Sequence, residues 1–187
     1  MPEGRFARIT ILAEDDEQVR FIRQWLLRWV KHLERRDIHE VSNPPGQGAG
    51  DQFVRMRFPI EADQHRRNLR NRGSMLIAVI DADTTDFAVR HRELVEQSHE
   101  RRNVFVFVPK RNIETWVHQL NGNSAGEEDD YKPIYNKDPV PAIDAAAKEF
   151  LEYTISPSKP VESLVQSLAF GIKTARELPR SHDQLDR

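Results

Sequence analysis

Met75-Leu76-Ile77-Ala78-Val79-Ile80-Asp81-Ala82-Asp83 decides the fold: six apolar residues in a row end in two acids one residue apart. An apolar run this short with no polar alternation is the pattern of a strand buried on both faces, as in a parallel sheet. Residues 7–13 read the same way and end at Glu14-Asp15-Asp16, and Asn103–Val108 is a third such run, stopped by Pro109. Helical spacing fills the intervals. Val19, Ile22, Leu26, Trp29, Val30 and Leu33 recur every three or four residues from Asp15 to about Arg35. Thr84 or Thr85 caps a helix running to about Arg101, with Phe87, Val89, Leu94 and Val95 inward, and Asn112 caps another over Ile113–Leu120. Strands alternating with helices predict a single α/β domain over 1–178, with a mostly parallel sheet of four or five strands.

The remaining segments are read more coarsely. Ile38–Val41 is a candidate second strand, and Asn43–Gly50 is a loop by composition. Phe53, Val54, Met56 and Phe58 suggest a short edge strand, and Glu61–Arg72 a surface helix with almost no apolar face. Residues 121–140 form a polar loop or partly disordered insertion whose acidic run Glu127–Asp130 reads as solvated. Two C-terminal helices follow, Ala142–Tyr153 and one opening at Ser158 and ending near Leu178, before a flexible tail at 179–187. Gly46, Gly48 and Gly50 make a poor phosphate cradle, because the chain then enters an extended segment rather than a helix.

The composition narrows the chemistry. The 187 residues carry 28 basic and 30 acidic side chains for a net charge of −2, so overall charge says nothing about partners. The absence of cysteine excludes disulfides, thiol nucleophiles and thiolate metal sites, and fits a reducing compartment. No apolar run approaches the roughly 20 residues needed to span a bilayer, and the N-terminus lacks a signal-peptide pattern; a cytoplasmic, non-membrane protein is the expectation.

The acids carry the functional expectation. In an open α/β sheet the ligand crevice lies beyond the carboxyl ends of the strands, where strand order reverses. Glu14, Asp81 and Asp83 fall at such ends, and Glu114 lies just past the third run. Oxygen ligands suit Mg²⁺ (or Mn²⁺), and like charges at close range are costly unless protonated or metal-bound. Each acid also has an ordinary reading as a helix cap or as dipole complement. Lys110 and Arg111 could neutralise a phosphate, and Arg66, Arg67, Arg70 and Arg72 could track a nucleic-acid backbone, or form a solvated face.

Two families compete for these residues. Leu12-Ala13-Glu14-Asp15-Asp16-Glu17-Gln18-Val19 resembles the start of a response-regulator receiver, in which Asp15 and Asp16 would bind Mg²⁺ and Asp81 would accept a phosphoryl group. The interval from Asp15 to Asp81 is longer than a receiver has, and the later Thr/Ser and Lys-Pro landmarks are missing. Over about residues 7–120 the order of elements resembles the Toprim fold better, with Glu14 and Asp81-Ala82-Asp83 as its acids. Val108-Pro109-Lys110-Arg111-Asn112-Ile113-Glu114-Thr115-Trp116 is similar to a segment of small Toprim-like nucleases related to the overcoming-lysogenization-defect nucleases. The chain departs from the family at Asp15, where Toprim domains usually have Gly.

That resemblance implies a Toprim/Rossmann-like three-layer sandwich and a Mg²⁺- or Mn²⁺-dependent nuclease acting on DNA or RNA. Glu14, Asp81, Asp83 and Glu114 would be its metal ligands and, with Lys110, its catalytic set. It also implies a setting in antiviral defence beside an ATPase partner protein, and is compatible with a homo-oligomer. The competing expectation is a non-catalytic receiver-like or Toprim-like module that binds Mg²⁺ and a protein partner.

Overall fold

The computed structural model describes residues 8–44, 46, 48–69, 74–98 and 102–179. Within them four strands, β1 (Arg8–Ala13), β2 (Ile38–Ser42), β3 (Ser74–Val79) and β4 (Val104–Phe107), pair in parallel in the order β2-β1-β3-β4. The same residues hold seven α-helices: α1 (Asp16–Trp29), α2 (Gly50–Leu69), α3 (Phe87–Gln97), α4 (Ile113–Leu120), α5 (Lys132–Tyr135), α6 (Val140–Ile155) and α7 (Gln166–Glu177). The expected three-layer α/β sandwich is the observed fold, and no helix among the described residues is long and apolar enough to cross a membrane.

Strand alternation sorts the interior into two cores. Ile9, Ile11, Met75, Ile77, Val79 and Phe107 face α1, α4, α6 and α7, whereas Leu12, Leu76, Ala78, Ile80 and Val106 face Val54, Phe58 and Ala62 of α2 and Leu94 of α3. The division follows from the handedness of crossovers. The chain steps from β1 to β2 in one direction and then returns past β1 to β3 and β4. Right-handed connections in opposite directions put their helices on opposite faces. The reversal makes a crevice at the carboxyl ends of β1 and β3.

The first core is dominated by rings. Trp25 meets Phe107 and Phe150 edge-on at 5.8 and 5.3 Å, and Trp116 stacks on Phe150 at 6.1 Å. Such pairs contribute about 0.5–1.5 kcal/mol each beyond their area. They bind α1, β4, α4 and α6 into one body, which fixes α4 relative to the sheet.

Several expectations give way. Phe53–Phe58 is not an edge strand but the first half of α2. Val54, Phe58 and Ala62 recur every four residues and are buried, while Met56, which a period of two would bury, is 67% exposed. The second half of α2 does have an inward face, made of polar groups. Glu61 is paired with Arg57 at 3.0 Å, and His65 lies between Ser74 Oγ (2.9 Å) and the Arg102 carbonyl (2.8 Å). The Gly-rich loop therefore enters a helix after all. Asp86, rather than Thr84 or Thr85, caps α3, accepting from Ala88 and Val89 N–H; α3 ends at Gln97, and Val89 is exposed. Helix α1 stops at Trp29, and α7 begins at Gln166 rather than Ser158, with Val161 and Leu164 in the turn before it.

Candidate functional site

The end of β1 is built around one glutamine. Asp15 caps α1 by accepting from Gln18 N–H at 2.9 Å. Gln18, fully buried, then reaches both strand ends: its Oε1 accepts from Glu14 N–H at 3.0 Å and its Nε2 donates to Asp81 Oδ1 at 2.8 Å. Glu14 Oε1 in turn accepts from Asp81 N–H at 2.7 Å. Glu14 and Asp81 are thus joined across the β1–β3 crevice. The sequence reading overlooked Gln18, although Asp15-x-x-Gln18 has the spacing of a capping box, in which a glutamine three residues after the cap reaches back to it. Here it reaches one residue further, to Glu14.

Burial dominates the electrostatics of this pair. It pushes the Glu14 carboxyl up to about 7, against the Asp81 N–H bond, and Asp83, Asp15 and Asp51 add to the rise. Asp81, only 3% exposed, is raised well above the usual carboxylate range by burial and then by Glu14 and Asp15. Asp83 stands at the exposed rim with a left-handed backbone (φ 52°), a conformation that a short polar Asp tolerates. The start of α2 closes against the same group, and a Cβ on Gly50 would lie 2.9 Å from Glu14 Oε2.

Glu114 comes from the other side. Asn112 caps α4 as expected, accepting from Thr115 N–H at 3.2 Å, and so sets Glu114 in the first turn. Trp116, two residues on, is locked by its Nε1–H to Ser167 Oγ (3.0 Å) and by α7, where Gly171 leaves room for the indole. Glu114 is 8% exposed, burial pushes its carboxyl up to about 7, and its Oε2 is buried with no hydrogen-bond partner.

The 121–140 insertion is tied to the fold although its acidic run keeps Glu128, Asp129 and Asp130 exposed as expected. Two of the acids anchor it to α4 and α7. Asp130 Oδ1 accepts from Asn112 Nδ2 (2.8 Å) and Lys132 N–H (3.1 Å), Glu127 Oε1 accepts from Ser167 N–H (3.1 Å), and Tyr131 stacks on His118 at 4.3 Å. The same segment carries Lys132, which the sequence reading passed over and whose charge the acids influence. Burial works against its charge, but Asp81, Glu114, Asp15 and Glu14 together hold its pKa raised. The only sequence signal was one lysine just beyond an acidic run, which resembles any charged loop.

Of the expected basic residues, Lys110 lies beside the end of β3 but is engaged, and Arg66 and Arg67 lie far along α2. Lys110 Nζ donates to the Thr85 carbonyl at 2.9 Å and lies 3.4 Å from Glu128. Arg111 is half-buried beside it. Arg66 and Arg67 both pair with Asp63, at 2.6 and 2.5 Å. They sit near the far end of α2 from Gly50, roughly 24 Å along the helix at 1.5 Å per residue. Arg70 and Arg72 lie outside the described residues.

The structure thus brings Glu14 and Asp81 into direct contact and leaves Asp83 at the rim, while Glu114 and Lys132 act on Asp81 through their charge. Among the described residues, no three His, Asp or Glu side chains form a ready metal-binding group. The donor chemistry nonetheless fits a hard cation: the groups are carboxylates, and one of them keeps a buried oxygen without a partner. Comparison with protein-family models, curated proteins and solved structures finds no match for this chain.

Proposed function

We propose that the chain is a Mg²⁺- or Mn²⁺-dependent phosphodiesterase acting on nucleic acid, of the Toprim-like nuclease type its motifs resemble. The observation that carries this reading is the unpartnered, buried Glu114 Oε2 in the electrostatic neighbourhood of Asp81, beside the joined Glu14–Asp81 pair. A buried carboxyl without a partner costs stability unless it is protonated, paired or metal-bound, and a hard cation is the compensation this reading assigns to it. Glu14, Asp81 and Glu114 would hold the ion, with Asp83 at the solvent side.

When bound, the ion would supply Lewis-acid stabilisation of charge on the phosphoryl oxygens. The protein's own part is orientation. Gln18 fixes the Asp81 carboxylate, Asp81 N–H fixes Glu14, and the Asn112 cap with the Trp116 anchor fixes Glu114. Hydrolysis adds water across a P–O ester bond, giving one phosphomonoester and one free hydroxyl. Asp81 is nearly inaccessible and already accepts from Gln18. These features weigh against a receiver-like phosphoacceptor role for it.

The test is incubation of plasmid DNA, single-stranded DNA and RNA with the protein in Mg²⁺ or Mn²⁺. Cleavage by the wild type, lowered at least about 10²-fold in Asp81→Asn, is expected. No cleavage of any substrate, or equal cleavage by the variant, overturns the reading. Cleavage only on addition of a second protein, such as the ATPase partner the resemblance implies, would make the chain a subunit of a nuclease complex.

A further inference from the structure

Helix α2 presents a ridge that its own fold does not use. Val54, Phe58 and Ala62 turn inward, whereas Gln52, Met56, Ile60 and Gln64 follow one another at four-residue spacing on the opposite face, all exposed. Met56 is 67% and Ile60 48% exposed, one turn apart. Residues four apart form a surface ridge, and ridges of this kind interdigitate in the commonest class of helix pairing. This ridge reads the same in both directions: amide, apolar, apolar, amide. Turned end for end, it meets itself with Met56 against Ile60 and Gln52 against Gln64. A two-fold interface needs that self-matching. The charges select the same orientation. At the C-terminal end of α2, Arg66 and Arg67 are exposed and share the single carboxylate of Asp63, so the end stays basic. At the N-terminal end, Gly50 lies against Glu14, which is joined to Asp81, and Asp51 is the next residue. End-for-end pairing lays each basic end over the acidic end of the other copy, whereas parallel pairing would set like charges together.

We infer that the outer face of α2 is the contact surface of a two-fold dimer of this chain, with the helices paired end for end about the midpoint between Met56 and Ile60. The pairing supplies what one chain lacks. Within a chain, Arg66 and Arg67 lie roughly 24 Å along α2 from Gly50. In the dimer, Arg66 and Arg67 of the second copy come to the Gly50 end, beside the crevice of Glu14 and Asp81. Their planar forks suit phosphate oxygens there. That role rests on the nucleic-acid reading of the site, whereas the dimer itself does not.

Sedimentation equilibrium of the full chain is the test. The wild type should be dimeric at micromolar concentration, and raised salt should weaken it. Ile60→Lys and Met56→Lys, at positions open to solvent in the single chain, should each raise the dissociation constant at least about tenfold, because the two-fold counts the charge twice. Their circular-dichroism spectra should stay those of the wild type. The chain has no cysteine, so oxidation can read the register. A mixture of Met56→Cys and Ile60→Cys chains should form the mixed disulfide more readily than either variant alone forms its own. A monomeric wild type overturns the inference, as does a dimer that both lysine variants leave intact, or one in which a single variant cross-links as readily as the mixture. If the wild type cleaves nucleic acid, chains with Asp81→Asn and chains with both Arg66→Ala and Arg67→Ala, each impaired alone, should recover cleavage on mixing, because one site of the mixed dimer is intact. No recovery removes the arginines from the site. A dimer of the expected register without cleavage removes only the nuclease reading.

Discussion

At the scale of single residues, the site depends on side chains that hold other side chains. Gly50 shows this most sharply, because a Cβ there would lie 2.8 Å from Glu14 Cβ and 2.9 Å from its Oε2. Glu14 would have to move, and misplacement of about 1 Å can cost on the order of 10²-fold in rate. Gly50→Ala should therefore lose most cleavage at saturating Mn²⁺ while its circular-dichroism melt stays near the wild type; full activity would show that the Glu14 position is not critical. The acids themselves were legible in the sequence, since each ends an apolar run or opens a helix. Their supports were not. Gln18 reaches Asp81 and Gly50 reaches Glu14 through contacts that only the β1–β3 and β2–α2 geometry creates, and Lys132 opens a single-turn helix with no apolar period to mark it.

At the scale of elements, the strands could be read because full burial removes the polar alternation that blurs other strands. Helix α2 was misread for a physical reason. Its inward stripe runs Val54, Phe58, Glu61, Ala62, His65, so two of these five buried positions are polar groups satisfied by Arg57, Ser74 and Arg102. No apolar period signals such a face. Helix α4 shows the opposite case, with the Asn112 cap and the bounds Ile113–Leu120 both as expected. What the sequence hid was the element that holds α4 in place. A Cβ at Gly171 would overlap the Trp116 ring, so Gly171→Ala forces α7 and α4 apart. Overpacking of this kind costs about 1–3 kcal/mol, and thermal melting should show a Tm lowered by roughly 3–10 °C. An unchanged Tm would mean that the indole can relocate at no cost.

At the scale of the whole molecule, the buried acids set a pH dependence. Glu14 and Glu114 titrate near 7 in the folded chain against 4.5 when free, so the native state binds more protons between those values. Stability from this source is complete below about 4.5 and is lost as pH rises through about 7. In metal-free buffer, Tm should rise by roughly 5 °C or more between about pH 8 and pH 5.5. Glu114→Gln should flatten part of that slope, and Mn²⁺ at pH 8 should restore part of the loss. A Tm independent of pH across this range would contradict the raised carboxyls.

The bond from Asp81 N–H to Glu14 has a consequence in time as well as in space. Its partners are 67 residues apart, and closing such a loop is among the slower steps available to a small domain. Both acid-bearing strand ends acquire their geometry in that one closure, which needs β3 already laid beside β1. A chain still emerging from synthesis, or one opened along this seam, therefore carries every acid of the site and none of its arrangement. A protein able to cut nucleic acid would gain from this order of events, since completion of the fold is itself the safeguard against premature chemistry.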